Sequence, residues 1–190
     1  MKPKSLCLLG LFFFVSSYIL FSQGEAFSYF QKPIDFAHWF NLIGAVLLLS
    51  FTKVFPKNTL NSIASFVLFL GVIAHVGLCT IDFIMWSFGA DEVSKEALAV
   101  HISNTPSILY PFIIIGPSLL FLGLALYASN FIKTYTLPAL MVIVGAPAVG
   151  VSFFVLKNGN LMLLSCVLFA LGLVLLLNRK EKVRVENCEL

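Results

Sequence analysis

Charge is the scarcest commodity in this sequence. Asp, Glu, Lys and Arg make up 11% of its 190 residues, whereas a water-soluble domain carries about a quarter. So few charges cannot wet the surface of a globule. No extended basic surface exists either: the one cluster is Arg179, Lys180, Lys182 and Arg184, interleaved with Glu181 and Glu186. A basic run of that length beside an apolar helix acts as a topology anchor, which leaves no support for nucleic-acid binding. The four cysteines, Cys7, Cys79, Cys166 and Cys188, show no C-x-x-C spacing, so a redox motif or a zinc site of that type has no basis. Two residues follow Cys188, where a prenylation signal needs three. H-E-x-x-H and G-x-S-x-G are both missing, which weakens zinc-peptidase and serine-hydrolase readings.

What is abundant is hydrocarbon. Hydrophobic residues reach 59% and the mean hydropathy is +0.99. A helix needs about 20 apolar residues to cross the bilayer core. Six runs qualify, near 5–24, 34–52, 61–88, 106–128, 136–156 and 160–178, and predict an all-α, polytopic membrane bundle forming a single domain. Thr105 before Pro106 reads as an N-cap and first-turn proline. Lys157-Asn-Gly-Asn160 reads as a tight turn joining the last two spans. Small residues at 22–24 resemble a signal-peptidase site, and cleavage there would leave five spans. The apolar stretch before them is longer than a leader core, which favours retention. Between the third and fourth spans, 91–104 reads as a short amphipathic helix, with Val93, Ala97 and Val100 on one face. The tail 179–190 is basic and expected in the cytoplasm.

Sidedness follows from the basic residues. With the N-terminus inside, Lys2, Lys4, Lys53, Lys57, Lys133, Arg179, Lys180, Lys182 and Arg184 are internal, and only Lys32, Lys95 and Lys157 are external. That sign is the one expected of a multi-pass protein of the cell membrane with both termini cytoplasmic.

An ionisable side chain within a span costs roughly 2.5–3.5 kcal/mol on insertion scales, so such residues are the first candidates for function. In this topology Asp35, His38 and Asn41 sit on neighbouring parts of one face near the outer end of the second span. His75, Cys79, Asp82 and Trp86 form one stripe of the third span, extended inward by Gly71. The pattern points to an outward-facing His/Asp pocket between these helices, with Asp82 its central charge and His75 its proton partner or ligand. Their separation of about 10.5 Å along the helix requires something to bridge them. More ordinary roles compete: Asp35 follows Pro33 at a helix start and can face the helix dipole and headgroup water, and His38 lies among the interfacial aromatics Phe36, Trp39 and Phe40. Pro111 and Pro117 in the fourth span, and Pro138 and Pro147 in the fifth, free backbone carbonyls and kink their helices.

The expected partners are the lipid bilayer and a small molecule, ion or proton, with oligomerisation open. The leading class is a small transporter, channel or binder. An accessory subunit without chemistry of its own is the alternative, and a metal-dependent intramembrane enzyme a weaker one. Asp35, His38, Asp82 and His101 are suitable ligand types but lack a ligand spacing; no metal is assigned and no cofactor is indicated. Orientation is directly testable. Single cysteines placed next to Lys57 and Lys133 should resist membrane-impermeant thiol reagents added outside, while those beside Glu92 and Asn158 should react. The reverse pattern would invert the topology.

Overall fold

The computed structural model describes residues 2–24, 27 and 30–179. Among them there is no strand. Six helices are long and apolar enough to span a membrane: α1 (Pro3–Phe21), α2 (Phe36–Lys53, its last turn tightened to a 3-10 helix), α3 (Thr59–Ser87), α5 (Pro106–Ser129), α6 (Thr136–Phe154) and α7 (Gly159–Leu177). A shorter helix, α4 (Glu92–Ser103), separates α3 from α5. Within each spanning segment only 22–44% of residues are buried inside the bundle. Many of the rest, such as Phe12, Phe66 and Leu164, are exposed and apolar. A surface of that kind is stable only with lipid as its solvent. The chain is a multi-pass membrane protein.

Local signals place the helix ends. Asp35, Asn58, Asp91 and Asn158 each accept hydrogen bonds from backbone N–H groups of the first turn that follows, satisfying donors that a helix leaves open. The hydroxyl and N–H of Ser94 hold the Asp91 carboxyl below its ordinary range. Thr105 departs from expectation. It does occupy the cap position before Pro106, but its hydroxyl donates backward to the His101 carbonyl instead of capping α5. Pro111 lies in a π-helical stretch, Leu109–Ile114, which absorbs the missing N–H without ending the helix. Pro138 falls in the first turn of α6, where no N–H is needed, so only Pro147 lies inside that helix.

The principal contacts follow chain order: α1 on α2, α2 on α3, α3 on α5, α5 on α6, α6 on α7. Packing of α1 against α7 closes the ring. Within it, Phe14 of α1, Phe121 of α5 and Phe169 of α7 stack through centroid distances of 5.8 and 5.2 Å. Nearer the end that carries the α2–α3 turn, Phe51, Phe55, Tyr127 and Phe131 form a second aromatic layer. The Arg179 guanidinium lies 4.5 Å from the Phe131 ring centroid. Asparagines tie this end together: Asn58 donates to Asn130, Asn130 to Asn61, and Asn61 to the Pro56 carbonyl. Ser65 and the Tyr127 hydroxyl add a further α3–α5 link.

The expected close approach at Gly71 is present, and its partner is α5. A Cβ on Gly71 would lie 2.6 Å from both Leu119 C and Leu120 Cα. Backbone cannot yield as a flexible side chain can, so Gly71→Ala must force α3 and α5 apart. We expect a destabilisation of about 1–3 kcal/mol, read as a lower thermal midpoint in lipid nanodiscs. An unchanged midpoint would show that the two helices do not meet there.

Candidate functional site

The polar residues picked out on α2 and α3 converge at the end of the bundle that carries α4. Asp35 is the N-cap of α2, and its Oδ1 accepts from the His38 N–H at 3.1 Å. Its other oxygen lies 2.5 Å from His38 Nδ1. Across the helix interface, His38 Nε2 stands 3.3 Å from an Asp82 oxygen. One imidazole therefore bridges two carboxylates on two helices. The ring is an ion-pair partner to both carboxylates only when it is protonated. Two carboxylates against one imidazolium leave one negative charge uncompensated, unless the row takes up a further proton.

Burial grades along this row. The Asp35 side chain is 1% exposed, His38 17% and Asp82 30%. The idea that Asp35 reaches headgroup water is thus corrected. Asp35 serves the helix terminus and the imidazole from inside the bundle, and Asp82 is the accessible carboxylate. Phe21 of α1 and Phe83 of α3 flank the His38 ring at centroid distances of 4.8 and 6.3 Å. They fix its plane between the two acids.

His75 does not pair with Asp82. Its Nε2 lies 2.8 Å from the Asn41 side-chain oxygen, and its Nδ1 is buried without a partner. The reason is geometric. Residues seven apart on one helix share a face but stand too far apart for contact, whereas α2 offers a residue at each level. His38 meets Asp82, and Asn41, one turn along α2, meets His75. The i, i+3 spacing of His38 and Asn41 carried this signal on α2, and nothing in the α3 pattern alone could assign the cross-helix register.

The remaining candidates divide. Cys79 is fully buried on the same α3 stripe and is a free thiol. Trp86 lies beyond the row, with the Lys32 ammonium 5.3 Å from its ring centroid and its indole N–H buried and unpartnered. Gln31, missed from sequence, accepts from the Ala37 N–H and joins Asp35 in ordering the start of α2. His101 is exposed on α4. Among the described residues no three His, Cys, Asp or Glu side chains form a set that could hold a metal ion.

Comparison with protein-family models, with curated proteins and with solved structures finds no match for this chain. Geometry alone therefore carries the functional reading.

The row opens on a cavity of about 1620 Å³. Asp35, His38, Asn41, His75 and Asp82 form its polar wall, facing Phe121, Pro147 and Met162 across the ring. Most small-molecule sites occupy about 300–1,000 Å³, so this space exceeds an ordinary ligand pocket. Ala99, Ile102 and Ser103 of α4 also line it. The short helix α4 presents two different faces. Its apolar stripe turns outward, with Val93 80% and Val100 52% exposed, while the opposite edge covers the cavity.

Proposed function

We propose that this protein binds a small molecule in the cavity bordered mainly by α2, α3, α5 and α6, and that Asp82, His38 and Asp35 are the groups that recognise it. The observation carrying this reading is the carboxylate–imidazole–carboxylate row opening onto a large, mostly apolar cavity. A merely structural ion pair needs no empty volume beside it, and a merely loose bundle needs no charges there. Apolar walls with a few convergent polar groups are the ordinary design of a ligand site.

With the termini cytoplasmic, the polar end of the cavity faces the exterior. Transport is the extended form of the reading and requires rearrangement, because beside the inner half of the cavity the centre of the ring is filled by Phe14, Phe121 and Phe169 and then by the asparagine cluster. The helices best suited to move are α5 and α6, whose ladders are already interrupted at Pro111 and Pro147.

Filling the cavity tests the proposal. Ser118 of α5 lines the space, and Ser118→Trp would occupy it. Native mass spectrometry of the protein taken from its own membrane should find a non-covalent small-molecule adduct on the unaltered chain and none on Ser118→Trp. The unaltered chain carrying no adduct, with Ser118→Cys unreactive to water-soluble thiol reagents from both sides, would contradict it.

A further inference from the structure

We infer that the ligand is a bilayer amphiphile with an ammonium head, which enters sideways from the lipid between α5 and α6. This inference rests on the proposed binding function and specifies its substrate class.

The first argument is the shape of the cavity. Its lining follows α5 from Leu109 to Ser129, about 30 Å of helix and so about the full thickness of the hydrocarbon core. A compact polar solute has no use for a groove of that length, whereas an alkyl chain fills it. The second argument is the route. Leu122 of α5 and Val151 of α6 line the cavity and are 47% and 48% exposed, and the cavity they line is open, not sealed within the bundle. Gly150 of α6 lies on this wall, and a Cβ built there would meet nothing within 4 Å. The seam is open at backbone level.

The third argument is charge. A chain alone would be satisfied by any apolar groove, but this one carries Asp82, the least buried member of a row holding two carboxylates against one imidazole. An ammonium group supplies both the missing positive charge and hydrogen-bond donors. His75 lines the same cavity one level deeper, where Asn41 holds its Nε2. The competing cation on the lining, Lys157, lies in the exposed α6–α7 turn, where solvent screens it.

Photolabelling separates the parts of this inference. Diazirine-tagged hexadecylamine, hexadecanol and hexadecyl sulfate would be added to the protein in phosphatidylcholine nanodiscs, and labelled peptides mapped. The amine should label α5 and α6 saturably at the groove, at least tenfold more than the other two probes. Asp82→Asn should abolish that preference and Asp82→Glu retain it. Gly150→Leu, which fills open space, should reduce groove labelling. Equal labelling of the groove by all three probes, insensitive to Asp82→Asn, would mean that only annular lipid chains enter, overturning the ammonium assignment while leaving a binding cavity. Stronger labelling by the sulfate would assign the head to Lys157 and overturn it too. No labelling of α5 and α6 above the other spans would overturn the lateral route and the cavity reading together.

Discussion

A polar side chain in hydrocarbon must find its partner inside the protein, and His38 between Asp35 and Asp82 is where this chain meets that demand. Leaving either carboxylate unpaired at that depth would cost several kcal/mol. Because Asp35 is on α2 and Asp82 on α3, the pairing also sets how these two helices lie against each other. Asn41 and His75 repeat the arrangement one level deeper. The two polar contacts fix a register that apolar packing alone would leave free to slide, since one lipid-like surface fits another nearly as well in any register.

The two ends of the bundle handle polarity in opposite ways. At the end with the α2–α3 turn, the amides of Asn58, Asn61 and Asn130 satisfy one another, and aromatic rings fill what remains. At the α4 end the groups are charged, one nitrogen is unpartnered, and empty volume adjoins them. Stability is concentrated at the first end and chemistry at the second. The α3–α5 contact joins them: it is close at Gly71, in the middle of α3, and continues toward the α4 end where Ala74 meets Gly116 and Phe112 of the π-helical stretch packs over Gly77.

Much of this was legible in the sequence, for identifiable reasons. Spans are written in uninterrupted apolar runs, and their predicted limits fall within a few residues of the helices. The α3 stripe was legible because a helix places every third or fourth residue on one face; Gly71, His75, Cys79 and Asp82 do turn inward. Partners across helices were not legible, since periodicity reports a face and not a depth. His75 was therefore matched with Asp82 on its own helix, when each finds its partner on α2. The asparagine cluster escaped notice because Asn58 and Asn130 stand at helix ends and Asn61 in a first turn, where Asn is an unremarkable residue. On α4 the apolar stripe was real but turned outward, because at a membrane surface an apolar face has lipid headgroups as well as protein to rest on. The cavity itself could not be read, being a property of how α5 and α6 diverge.

The central claim is that Asp82 belongs to His38 and not to His75. Nitrogen-15 solid-state NMR of the protein with labelled histidines, in lipid bilayers, tests this most directly. Substituting Asp82→Asn should shift the His38 Nε2 resonance and leave both His75 resonances in place. A His38 signal that stays put while His75 moves would contradict the account and restore the pairing along α3.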